Sequence, residues 1–189
     1  LDSSSSYVGN KTSTTMTPDS CGAVVYVDET NDVVRFGIFY KGKWSTEVVY
    51  EYVGEDNRVK DVSLTIDANG VPHIAISDVD SAGSSDLYYA TKLDGDWSNL
   101  ALHEFSQDSI ANSIEVDGDG NLYIVFQGYD TYVFDLRGDL YALTCSSAQY
   151  ASTKCVGAGD WDTWLADNDL DYATPVSYTH LTLPTTHCV

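Results

Sequence analysis

Along most of the chain, apolar and polar positions alternate with a period of two, the mark of half-buried β-strands, and no window carries the period of an amphipathic helix. Ser63-Leu64-Thr65-Ile66-Asp67 is one such run. The turn Asp67-Ala68-Asn69-Gly70 follows, where Asn and Gly tolerate positive φ. Next comes His73-Ile74-Ala75-Ile76-Ser77, apolar enough on both faces for a strand covered from both sides. Asp86-Leu87-Tyr88-Tyr89-Ala90-Thr91 reads as a third strand, and a fourth opens at Gly95-Asp96-Trp97-Ser98.

This unit repeats. Fifty residues on, Ser113, Asp117, Gly120 and Ile124 stand where Ser63, Asp67, Gly70 and Ile74 stood, without a gap. Fifty residues earlier, Ser13, Thr15, Met16 and Val24 to Asp28 keep the register more weakly. Third strands recur at Val34 to Tyr40 and Asp139 to Thr144. Fourth strands recur at Gly42-Lys43-Trp44-Ser45 and, after an insertion, at Gly159-Asp160-Trp161-Asp162. A tryptophan at one fixed place in each repeat suits the wedge between neighbouring units.

Four short antiparallel strands every fifty residues predict an all-β chain, a partial β-propeller of three four-stranded blades. The expected blades run over 11–60, 61–110 and 111–171, the last with the insertion, after a Ser/Thr-rich lead-in or linker at 1–10. The pattern resembles the blades of sialidase-like propellers and related secreted bacterial and archaeal repeat proteins, a likeness of architecture more than of activity. Closing a ring takes roughly 4–8 blades, so a fragment is the expectation, with the remaining blades of a parent chain as partners. Asn10-Lys11-Thr12 fits a glycosylation sequon.

The segment 172–189 breaks the pattern, since it holds no Asp, Glu, Lys or Arg after Asp171. Pro175-Val176-Ser177-Tyr178-Thr179-His180-Leu181-Thr182-Leu183-Pro184-Thr185 resembles a translated sequencing-adapter frame. The expectation is a non-native tail, and His180, His187 and Cys188 receive no role.

Charge narrows the partners. With 29 acidic and 9 basic residues the net charge is −20, which repels phosphate backbones and argues against nucleic acid. Fourteen tyrosines against one methionine favour strands, and no apolar run is long enough to span a bilayer.

Cys145 and Cys155 bracket the insertion, and a disulfide there is expected, which favours an oxidising, extracellular or cell-surface location. Cys21, at a strand start, reads as a small buried apolar side chain. Asp117, Asp119 and Asn121 place oxygen ligands at alternate positions, as the first half of a calcium loop does. Leu122 and Gly128 stand where such a loop needs Gly and Glu, so a hairpin turn accounts for the run better. The long loop after the second strand of the last repeat offers Tyr129, Tyr132 and Arg137 as candidate glycan or protein contacts.

The sialidase resemblance implies three arginines around a substrate carboxylate. Arg35, Arg58 and Arg137 match in number, but not in the family's Arg-Ile-Pro setting, and its Asp-box is absent. No catalytic residue is assigned, no cofactor is expected beyond calcium, and no phosphate loop or nucleophile elbow is present. The reading is a non-enzymatic binding or scaffold module. A sialidase-like glycoside hydrolase and a calcium-stabilised adhesive repeat are the alternatives.

Overall fold

The computed structural model describes residues 7–52, 58–79, 85–105, 107–129 and 138–170. These form three four-stranded antiparallel sheets, each with its strands in chain order. The first blade comprises β1 (Val8–Met16), β2 (Gly22–Asp28), β3 (Val33–Tyr40) and β4 (Lys43–Glu51). The second comprises β5 (Arg58–Ile66), β6 (Pro72–Val79), β7 (Ser85–Leu93) and β8 (Asp96–Phe105). The third comprises β9 (Gln107–Val116), β10 (Leu122–Tyr129), β11 (Gly138–Cys145) and β12 (Asp162–Leu170). Strand β1 thus begins inside the segment expected as a lead-in, and the tail 172–189 lies outside the described residues.

Blades stack through two apolar layers. Every residue of β6 is buried, because the strand serves both layers at once. Ile74 and Ile76 face the first blade, alongside Val25, Val27 and Val34, while Ala75 faces the third, alongside Ile124, Phe126 and Leu143. Among the first strands, β5 packs against both β1 and β9, which places the three on the inner side of the blades. The architecture is a partial propeller.

Strand register makes the tryptophans equivalent. Trp44 pairs with Phe39 and Trp97 with Lys92, while Trp161 directly precedes β12, whose Asp162 pairs with Thr144. Trp97 meets Phe36 of the first blade edge-on, with ring centroids 5.6 Å apart. Trp161 meets Tyr89 of the second blade in the same way at 5.0 Å. Phe36 and Tyr89 are themselves equivalent, opposite Val25 and Ala75. The expected wedge role therefore holds at both interfaces. Trp44 packs on Phe39 of its own blade, at 5.4 Å between centroids, and is 38% exposed.

Polar groups join the blades as well. The buried Asn112 side chain donates to Ser77 Oγ at 2.8 Å and accepts from Ser63 Oγ at 2.5 Å. Its backbone N–H donates to Asp61 Oδ2 at 2.8 Å. Burial pushes the Asp61 carboxyl up, against the pull of that bond and one from Val62.

The insertion corrects the sequence reading, which expected no helix. Ser147–Thr153 form a short helix, α1, followed by a 3-10 turn at Ala158–Asp160. No residue of α1 is buried, so no apolar period announces it. It is held by its ends. Ser146 caps the start by accepting from Gln149 N at 3.2 Å, and Lys154 closes it in the left-handed region at φ 61°. A disulfide joins Cys145 to Cys155 across it, with Cα atoms 6.3 Å apart. Cys21 is buried as expected, but it is not a free thiol.

Candidate functional site

Two turns fifty residues apart are built alike. In the second blade, Asp67 Oδ1 accepts from the backbone N–H of Asn69 at 2.9 Å and of Val71 at 2.8 Å. In the third, Asp117 Oδ1 accepts from Asp119 and Asn121 N–H, both at 2.9 Å. Gly70 and Gly120 close the turns at φ 82° and 84°, values that glycine adopts without strain. Because blades two and three are neighbours, the turns stand side by side on one rim.

Helix α1 joins them there. Ser147 N–H donates to Asn121 Oδ1 at 2.8 Å, which seats the helix start on the third-blade turn. Together they enclose a cleft of about 290 Å³, lined by Asn69, Asp117, Asp119, Ser147, Tyr150 and, at its floor, His73.

His73 is 1% exposed. Its Nδ1 lies 2.7 Å from the Tyr89 hydroxyl, and the edge of the Tyr150 ring closes over it at 5.4 Å between centroids. Nε2 meets no hydrogen-bond partner among the described residues, and Asp67 Oδ2 lies 3.8 Å from it.

The electrostatics follow from these contacts. Burial works to raise the Asp67 carboxyl, but His73 and the Val71 N–H outweigh it and hold the group at about 2. Asp117 is lowered chiefly by Asn121, through both side chain and backbone. Tyr150 is pushed up by burial and by the charge of Asp67. The lining carries the carboxylates of Asp67, Asp117 and Asp119, and the nearest described cation is Lys154, whose Nζ stands 5.0 Å from the Tyr150 ring centroid.

The calcium expectation can be placed residue by residue. Asp117 Oδ1 is taken by turn amides, and its Oδ2 accepts from Asn121 Nδ2 at 2.8 Å and Tyr123 OH at 3.1 Å. Asn121 Oδ1 is taken by Ser147, and Asp119 stands exposed on the cleft wall. Among the described residues no group of three or more His, Cys, Asp or Glu side chains is set to hold a metal.

No protein-family model matches the chain, and no curated protein does. Among solved structures the chain is similar to a fucose lectin from Kordia zhangzhouensis in complex with methyl-fucoside. Identity is 10%, over 81% of this chain and 96% of that one, with a TM-score of 0.49.

The described end of β10 and start of β11 lie at the opposite end of those strands from the cleft. Tyr129 ends β10, with only its backbone described, while Tyr132 and Arg137 fall outside the described residues. Arg35 is engaged by the buried Asp28, Nε to Oδ2 at 3.1 Å. Sequence reasoning missed His73, Ser147 and Tyr150. The available signal was His73 itself, a histidine where the other repeats carry Ala23 and Tyr123.

Proposed function

We propose that this chain is an exported, non-enzymatic binding module that holds one neutral sugar residue in the cleft between its second and third blades. The cleft carries this reading. Its volume of about 290 Å³ is at the small end of ligand sites, the scale of a single ring rather than an extended chain. Asn69, Asp119 and Ser147 offer donors and acceptors for hydroxyl groups, and Tyr150 offers an aromatic wall. Three lining carboxylates, Asp67, Asp117 and Asp119, disfavour anionic ligands such as sialic acids.

Binding is favoured over hydrolysis. A glycosidase needs a carboxylic acid whose pKa is raised so that it can protonate the leaving group. Asp67 and Asp117 are both lowered, and the Oδ1 of each is committed to turn amides. The disulfide in the insertion supports an oxidising compartment.

The test is calorimetric titration with a panel of neutral methyl glycosides, methyl-fucoside included. At least one should bind saturably at one site per chain. Asp119→Ala and Tyr150→Ala should each weaken it about tenfold or more. Saturable binding that both variants leave unchanged would remove the cleft from the reading, and no binding across the panel would end it.

A further inference from the structure

The floor of the cleft is polar where the fold accepts apolar side chains. In the second blade His73 pairs with Thr91, and Ala75 with Tyr89. At the same register the first blade pairs Ala23 with Ile38, and Val25 with Phe36. Alanine, isoleucine and phenylalanine thus fill in one repeat the places that His73, Thr91 and Tyr89 fill in the next. All three polar residues are 1% exposed or less. Packing alone does not call for them.

They form a relay that ends at the cleft. Thr91 Oγ1 spends its proton on the Pro72 carbonyl, at 3.1 Å. The 2.7 Å contact between the Tyr89 hydroxyl and His73 Nδ1 can then run either way, and Asp67 decides the direction. Its Oδ2 lies 3.8 Å from Nε2, and its carboxyl, held at about 2, is ionised at neutral pH. A carboxylate favours a proton on the facing nitrogen over a lone pair. Tyr89 therefore donates to Nδ1, and Nε2–H is the donor left over, buried and met by no acceptor among the described residues. Nδ1 faces the blade interior through Tyr89, whereas Nε2 faces Asp67, which lines the cleft.

We infer, resting on the sugar-binding reading above, that His73 and Asp67 select the ligand by one free hydroxyl, which accepts from Nε2–H and donates to Asp67 Oδ2. At 3.8 Å the two atoms are near enough for a single oxygen to stand at ordinary hydrogen-bond length from both. Only a hydroxyl plays both parts. A deoxy position plays neither, and a methoxy group cannot donate. Either leaves a buried polar group unmet, which is how such a pair turns binding into discrimination.

The experiment takes the tightest-binding methyl glycoside of the panel, with its monodeoxy and mono-O-methyl derivatives, and records long-range proton–nitrogen correlation spectra of the full chain at neutral pH. Without glycoside, the His73 ring should carry its proton on Nε2 and none on Nδ1. On saturation the Nε2 resonance should move. One hydroxyl position should lose about tenfold or more in affinity as either derivative. His73→Phe should bind the parent glycoside about tenfold more weakly and no longer discriminate at that position, with an unchanged far-ultraviolet spectrum. Should that variant fail to fold, Tyr89→Phe leaves His73 in place, releases its tautomer and should narrow the discrimination. A proton on Nδ1 in the free chain overturns the inference. So does an Nε2 resonance that saturation leaves in place, or a glycoside whose derivatives all bind alike. In each of these cases the sugar-binding reading stands, whereas no binding across the panel ends both.

Discussion

One perturbation separates the wedge role of the tryptophans from any other account of their spacing. Trp161 and Trp44 occupy the same register position, yet one is 7% exposed between two blades and the other 38% exposed against Phe39 of its own blade. An indole buries roughly 150–250 Å², worth about 4–6 kcal/mol at about 25 cal/mol per Å², and buried Trp→Ala changes cost about 3–5 kcal/mol. Trp161→Ala should fall in that range, since it empties the space against Tyr89 and removes the Nε1 bond to the Cys155 carbonyl, 3.0 Å long. Trp44→Ala should cost about 1 kcal/mol or less, as for a surface change. Phenylalanine sharpens the comparison. Trp161→Phe removes the donor to the Cys155 carbonyl, whereas Trp97→Phe removes a buried Nε1–H that has no partner among the described residues. The first should destabilise, and the second should be near neutral. Urea unfolding of dilute samples, followed by circular dichroism, reads all four variants. Equal losses for Trp161→Ala and Trp44→Ala would refute the wedge argument.

Two further outcomes are expected. Breaking the Cys145–Cys155 link with a Cys145→Ser/Cys155→Ser double change should lower stability by about 2–3 kcal/mol in a chain-entropy treatment. Mass spectrometry after alkylation should find neither thiol free in the native protein, and two reactive thiols there would rule the bond out. Asp67 is lowered in the folded chain to about 2, so its contribution is present above its ordinary range near pH 4 and is lost as pH falls through about 2. Asp61, raised by burial, works in the opposite direction. Asp67→Asn should therefore flatten the acid limb of a melting-temperature profile between about pH 4 and pH 2, and an unchanged limb would show that Asp67 is not its source.

The fold was legible because each local signal was strong and repeated. Asp67 and Asp117 bind their own turns, Gly70 and Gly120 meet a backbone demand, and the alternation of Leu64 with Ile66 sets a face. The cleft was not legible. It exists only where two turns from different blades meet an insertion, and sequence separation hides that meeting. Helix α1 was missed for a related reason. Seven residues with no buried side chain have no period, and what orders them is a cap, a disulfide and a single bond from Ser147 to Asn121.

The buried carboxamide of Asn112 has a consequence for how repeats this similar find their proper neighbours. Its counterpart in the second blade is Val62, and the counterpart of Ser77 in the first blade is Val27, both within one apolar layer. One junction is thus keyed polar to polar and the other apolar to apolar. Exchanging the blades would set Asn112 against Val27 and leave its buried Nδ2 without the Ser77 acceptor, at about 1–3 kcal/mol. The pair of junctions acts as an address, so that the order of the blades is written in the chemistry between them as well as in the connectivity of the chain.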